Sequence, residues 1–248
     1  MTVPESSLPA HDAFSAPTRA FELASIVAAA ALLVVHVVIV SAAPQALSWW
    51  TVPVIGAGML SADFLSGIVH WGADTWGSET MPVLGRRLLR PFRVHHVNPE
   101  DFLRRHWIDT NGDVAFLVTV VLVAVLFVPV SSAPSAATRV FLVALCAVGL
   151  PTNQVHQWAH QTNPPRVIAW LQQRGLLLNR TDHARHHEPP YVTNYCIATG
   201  WCNGALVACN FFSRMERIVQ RVTGLTPRHD EIRFLADIAE QPHSPTTD

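Results

Sequence analysis

The chain has 248 residues, of which half are hydrophobic and only 14% are charged. That balance argues against a soluble globular domain and for a membrane protein. The formal net charge of -1 carries little, because a membrane protein is read by where its charges lie. All seventeen basic residues are Arg, and the four cysteines (Cys146, Cys196, Cys202, Cys209) include no C-x-x-C pair. They read as small buried hydrophobes, with neither a disulfide framework nor a cysteine zinc site favoured.

Residues 1–20 are rich in Pro, Ser and Ala and predict a disordered arm, and 236–248 a loose tail. The apolar stretch that follows the arm starts too late and runs too long for a signal peptide. One domain over 21–235 then contains four predicted transmembrane helices, at about 21–43, 52–72, 114–131 and 139–160, each near the 20 residues that cross a bilayer. His36 stands alone in the first and is expected to bond a backbone carbonyl. Trp49 and Trp50 mark an interface. Asp63, inside the second span, is expensive there and is expected to be functional or paired.

The second span ends in His70 and Asp74, which share a helical face at i and i+4. Six Arg forbid a span between 77 and 112, where His95 and His96 sit side by side. Asn98-Pro99-Glu100-Asp101 then reads as a helix cap, and the short helix after it carries His106, which has no partner at ligand spacing. The Ser-Ser-Ala-Pro-Ser link between the third and fourth spans makes a tight hairpin. The fourth span ends, like the second, in an i, i+4 pair, His156 and His160. Past it come a Pro- and Arg-punctuated interfacial stretch, then His183, His186 and His187, predicted on one helical face. Residues 191–212 read as re-entrant or interfacial, and 214–233 as an amphipathic Arg-bearing helix and turn.

Four spans collect sixteen Arg on one side and leave Arg139 alone on the other, so the first side is cytoplasmic by the positive-inside rule. Every histidine cluster falls on that face, which predicts an all-α membrane protein with a cytoplasmic, histidine-rich di-metal cap. The candidate ligands are His70, Asp74, His95, His96, His156, His160, His183, His186 and His187. A lone zinc takes about four donors, so nine point to two metals sharing a site. Two other classes stay open: a transition-metal transporter, whose ligands would lie nearer the bilayer midplane, and a zinc membrane hydrolase, which needs fewer donors.

The motifs Asp63–Ser78, Arg90–His96, Thr110–Asp113, Thr152–His156 and His183–His187 resemble the plasmanylethanolamine desaturase family, a branch of the membrane di-iron lipid desaturases. The likeness covers roughly residues 60 to 230. Asn194–Ile197 is also similar to a sister family, the plant plastid desaturase that puts a trans-3 double bond into the palmitoyl chain of phosphatidylglycerol. The chain departs from acyl-CoA desaturases at Arg93, where they carry a third histidine, and at Asp74, which ends the first cluster. The resemblance implies two Fe ions, O₂ as co-substrate, a membrane phospholipid substrate and an external electron donor, a cytochrome b-type protein or a ferredoxin. It implies a vinyl ether made from a 1-O-alkyl chain or, in the sister reading, a double bond near an acyl carboxyl end. The substrate is expected to enter by a short lateral opening near His70 and His156, lined by Phe64 and Ile68, at the lipid-facing level of Trp71 and Trp158.

Overall fold

The computed structural model describes residue 10 and residues 14–228, and these are all-helical with no strand. The elements are α1 (Ala16–Ser41), α2 (Thr51–Thr75), a π-helical turn (Gly85–Leu89) running into α3 (Arg90–Val97), α4 (Pro99–Arg104) and α5 (Trp107–Val125). Then follow α6 (Ala133–Gly149), α7 (Thr152–His160), α8 (Arg166–Gln173), α9 (Arg180–Ala184), α10 (Asn203–Ala208) and α11 (Phe211–Thr223). Four helices are long and apolar enough to cross a membrane: α1, α2, α5 and the continuous run of α6 and α7. The shortest, α5, has 19 residues and rises about 28 Å, close to the ~30 Å of a hydrocarbon core. Pro151 separates α6 from α7, since it lacks the N–H that would continue the ladder.

Three spans begin earlier than their apolar runs suggest, α6 among them, which starts at Ala133 where Ser132 caps it and not near residue 139. Ser15 caps α1 by accepting from the Thr18 N–H, and Arg19 pairs with Asp109 at 2.8 Å, so residues 14–20 of the expected arm are ordered. The rest of that arm except Ala10, the tail expected over 236–248 and the end of the expected 214–233 helix and turn lie outside the described residues. Helix α5 starts at Trp107 and not near residue 114. The acids that make its first turns look like loop are paired from other elements: Asp109 by Arg19, and Asp113 by Arg87 at 2.6 Å. Arg87 also holds Glu22 of α1 at 2.8 Å.

Helix α1 packs on α5, and α2 on α6. Without lipid-phase hydrophobic attraction, such helices associate through close packing at small residues. A Cβ on Gly112 would sit 2.3 Å from the Glu22 side chain, and one on Gly58 would sit 2.6 Å from the Phe141 carbonyl, so both contacts need glycine. Outward-facing Val34, Val38, Val52 and Leu117 are exposed, as a lipid-facing surface requires. His36 is fully buried, and its Nε2 donates to the Leu122 carbonyl at 2.9 Å, the backbone bond expected of it. Its Nδ1 accepts from Arg139 Nη1 at 3.0 Å, while Arg139 also caps the end of α5 through the carbonyls of Leu126 and Val128.

Beyond α7 the chain wraps back over the polar end of α2. Asp63 Oδ1 accepts from the Thr199 and Gly200 N–H groups at 2.7 and 2.8 Å, and Oδ2 from Cys202 N–H at 2.9 Å. One turn on, Ser66 Oγ accepts from Ile197 N–H at 3.0 Å, and a turn beyond that His70 Nδ1 donates to the Tyr195 carbonyl at 3.1 Å. Helical positions 63, 66 and 70 thus meet alternate positions of an extended segment, and Asp63 is paired by backbone. Trp71 departs from expectation. It is buried against Tyr195 and Phe212 and donates to Glu216 at 3.3 Å, so it does not face lipid. Among the cysteines Cys146 and Cys196 are buried as expected, but Cys202 is half-buried and Cys209 exposed; all four are free thiols.

Candidate metal centre

The nine residues singled out by spacing converge from α2, α3, α7 and α9 with its following turn, and they form two groups. His95, His156, His160, His183 and His187 make one; His70, Asp74, His96 and His186 make the other; within each, the potential ligand atoms all lie within 4.8 Å of one another. Adjacent residues part company here. His95 and His96 lie about 100° apart around α3, so each serves a different group. The last three histidines do not share one helix, because α9 ends at Ala184. A turn follows, closed by His186 N–H to His183 O at 2.9 Å and His187 N–H to Ala184 O at 3.0 Å. It sends His183 and His187 to the first group and His186 to the second.

Within the first group the Nε2 atoms of His156 and His183 are 2.9 Å apart, those of His183 and His160 2.8 Å, those of His160 and His156 3.3 Å, and His187 stands 3.1 Å from His183. A neutral imidazole has one ring N–H, so three mutually facing nitrogens cannot all be satisfied by hydrogen bonds. A cation about 2.1 Å from each would place neighbouring donors roughly 3.0–3.4 Å apart, close to the spacing observed. In the second group Asp74 Oδ2 lies 3.2 Å from His70 Nε2, 3.2 Å from His96 Nε2 and 3.4 Å from His186 Nε2. Buried His70 Nε2, His95 Nε2 and both Asp74 oxygens make no hydrogen bond among the described residues. Orphaned buried donors facing one another are costly unless an ion satisfies them, so these residues fit metal.

Orientation comes from backbone. His70 Nδ1 donates to Tyr195 O and His186 Nδ1 to Thr193 O at 2.8 Å, which leaves each Nε2 with its lone pair turned inward. Burial, and then the neighbouring imidazoles, hold His95, His183 and His187 well below the ordinary histidine value of 6.5. Burial lowers His186 too, against the pull of Asp74. Neutral imidazoles are what a metal ion requires as ligands. The two groups adjoin: the His70 and His156 rings are 5.3 Å apart, and those of His183 and His186 are 5.7 Å apart. Eight nitrogens and one carboxylate suit Fe, Zn or Cu better than Mg or Ca.

His106, by contrast, joins neither group. It is exposed, and its Nδ1 accepts from Ile108 N–H at 3.3 Å as the N-cap of α5. Arg93 is absorbed structurally, donating to the carbonyls of Trp76 and Gly77 at 2.8 and 3.1 Å. The opening expected beside Phe64 and Ile68 is covered: Phe64 packs on Phe211 at 5.6 Å, and Ile68 lies in the cluster of Trp71, Tyr195 and Phe212. A small cleft of about 30 Å³ instead reaches the site between α3, α4, α5 and α7, lined by Pro91, Phe92, His95, Phe102, Arg105, Thr110, Asn153 and His156. Phe92 lies 4.9 Å from the His70 ring and Phe102 4.9 Å from the His156 ring. Sequence spacing carried no signal for these two, since neither the lining of a cleft nor the cover of a helix face repeats with helical period.

Residues 59–230 match the family model of the lipid desaturase domain. The chain is 40% identical over 219 residues to plasmanylethanolamine desaturase of Myxococcus xanthus, covering 88% of this chain and 78% of that protein. It is 38% identical over 188 residues to plasmanylethanolamine desaturase 1 of Mus musculus, covering 73% and 69% of the two chains. To the chloroplastic fatty acid desaturase 4 of Arabidopsis thaliana it is 35% identical over 178 residues, covering 69% and 52%. No solved structure matches. A match over more than half of the chain, carrying the residues of both donor groups, selects the enzyme among the classes that spacing left open: this chain belongs to the lipid desaturase family.

Proposed function

We propose that this enzyme is an O₂-dependent di-iron desaturase that converts the 1-O-alkyl chain of a plasmanylethanolamine into the vinyl ether of a plasmalogen. The observation that carries the choice of an ether lipid is the 40% identity, over most of the chain, to the plasmanylethanolamine desaturase of Myxococcus xanthus. The proposed ligands are the nine residues His70, Asp74, His95, His96, His156, His160, His183, His186 and His187. Two irons held there would supply activation of O₂ and oxidation of an unactivated C–H bond. In the overall balance, two hydrogens leave C1′ and C2′, and together with two electrons and two protons they reduce O₂ to two waters.

The protein's own part is placement and exclusion. Tyr195 O and Thr193 O hold His70 and His186 in the tautomers that a metal needs. Phe92 and Phe102 line the approach with apolar surface and keep bulk water from the donors. An ether C1′ lies just below the glycerol, so the reaction calls for a site at headgroup depth, and the donor groups lie at the ends of two spans. Arg distribution supports a cytoplasmic site with cytoplasmic termini, where a cytochrome b-type or ferredoxin donor would deliver the electrons.

The likeness to fatty acid desaturase 4 favours a second reading, an acyl chain desaturated near its carboxyl end. Lipid analysis of cells with and without the gene separates the two. Acid-labile vinyl ethers that depend on the gene support the first reading. Gene-dependent trans-unsaturated acyl chains without vinyl ethers replace it with the second.

A further inference from the structure

The cleft beside His95 and His156 is lined by the apolar side chains of Pro91, Phe92 and Phe102 and by one arginine, Arg105. Its polar lining residues are mostly committed: Thr110 Oγ1 donates to His106 O at 3.1 Å, and Asn153 donates to Thr110 O at 2.9 Å. Arg105 differs. Its carbonyl accepts from Gln157 Nε2 at 3.2 Å, which fixes its backbone, yet its Nε is sealed from solvent with no hydrogen-bond partner. Its guanidinium lies 5.3 Å from the ring centre of Phe14, a contact that leaves the in-plane donors open. The other arginines near the site are engaged: Arg87 by Glu22 and Asp113, Arg90 by Glu79 and the Ala10 carbonyl, Arg93 by two carbonyls.

Carboxylates do face Arg105, namely Glu22, Asp101, Asp109 and Asp113, but none accepts a hydrogen bond from it; Asp109 is paired by Arg19, and Glu22 and Asp113 by Arg87. A guanidinium that lines a partly apolar cleft, with its terminal N–H groups in no hydrogen bond among the described residues, matches a phosphate oxygen pair. The cleft has room for about 30 Å³, the space of roughly two waters, so it suits the oxygens of one phosphate and not a whole headgroup. In a glycerophospholipid, six bonds separate phosphorus from the first carbon of the sn-1 chain, a reach of roughly 7 Å at ordinary bond lengths.

We infer that this cleft is the phosphodiester subsite and that Arg105 is the positioning residue that holds the substrate phosphate, setting the first chain carbons against His95 and His156. The inference rests on the phospholipid reading above, and it holds for an ether or an acyl phospholipid alike.

The test uses the full-length, metal-loaded enzyme in nanodiscs with an electron donor, given 1-O-alkyl-2-acyl-glycerophosphoethanolamine or the phosphate-free 1-O-alkyl-2-acylglycerol. Arg105→Gln should raise KM for the phospholipid roughly tenfold to a hundredfold, the loss expected for a hydrogen bond to a charged group, while kcat and bound metal stay within about threefold. Its activity on the phosphate-free lipid should match wild type, and Arg105→Lys should recover part of the KM. Native mass spectrometry should show phospholipid retained by wild type and lost from Arg105→Gln, and inorganic phosphate should fail to displace it; displacement would assign the site to free phosphate and overturn the inference. An unchanged phospholipid KM, or an equal penalty on both lipids, also overturns it, and a fall in metal content of both variants reduces Arg105 to a partner of the nearby carboxylates. If wild type oxidises only acyl chains, the ether reading falls, and the same KM comparison on the acyl phospholipid still decides Arg105.

Discussion

Two buried polar assemblies stand at opposite ends of the four-span bundle. At one end His36 and Arg139 are buried among α1, α5 and α6, and their polar atoms meet backbone carbonyls or each other. At the other end six histidines and Asp74 are buried and His160 and His187 are partly so, but their nitrogens and oxygens face one another, and several make no hydrogen bond. A satisfied histidine is a structural part, fastened to backbone. A set of converging unsatisfied ones is unfinished without an ion.

The largest effect should come from removing a donor in the unsatisfied assembly. His186→Ala is expected to abolish desaturation while the protein still inserts, because the residue sits in a turn outside the spans. Metal should fall from about two per chain to about one, as the second group loses one of its four donors. Normal turnover at normal expression would sink the assignment. Asp74→Ala should match His70→Ala in product formed, since the carboxylate stands 3.2 to 3.4 Å from three histidines. A mild Asp74→Ala beside a dead His70→Ala would place the carboxylate outside the ligand set.

Metal removal sharpens the comparison at intermediate size. In stripped protein His95, His183, His186 and His187 titrate below 6.5, whereas in the unfolded chain they take protons from about 6.5 downward. The unfolded state then binds more protons, so stability is present above pH 6.5 and drains away as the pH falls below it. Thermal scans of stripped enzyme should show Tm falling between pH 7.5 and 5.5, more steeply than for the His186→Ala, His187→Ala double variant. Equal slopes would show that these histidines are solvated.

The smallest effects belong to the satisfied residues. His36→Ala should cost about 1–3 kcal/mol by stranding Arg139 Nη1 and the Leu122 carbonyl, yet leave metal content and specific activity of the surviving protein intact. His106→Ala should remove one exposed helix cap, about 1 kcal/mol or less in a thermal melt, with turnover unchanged. Loss of metal in either variant would erase the distinction between the two ends.

What the sequence made legible follows the range of the forces involved. The pairs His70/Asp74 and His156/His160 announce themselves because helical period alone puts each on one face. The division of His95 from His96 was hidden, since it depends on which neighbour each side of α3 meets. The early start of α5 was hidden for a like reason: Asp109 and Asp113 look like loop residues until Arg19 and Arg87, 90 and 26 positions away, neutralise them. Trp71 resembled an interfacial anchor, and only the returning chain reveals that Tyr195 and Phe212 cover it. Phe92, Phe102 and Arg105 gave no periodic signal, because the cleft is a property of four packed helices together.

The tether between Asp63 and residues 199–202 has a consequence for biosynthesis. Ligands on α2 leave the ribosome more than a hundred residues before those at 183–187, and the late segment is fastened to α2 only when Thr199, Gly200 and Cys202 reach Asp63. Contacts this distant in sequence form last, after local helices are in place. A nascent chain therefore carries six of the nine candidate donors through insertion, three in each group, before His183, His186 and His187 complete the two groups. Fastening residues 199–202 to Asp63 thus also brings the last three donors to the six that precede them.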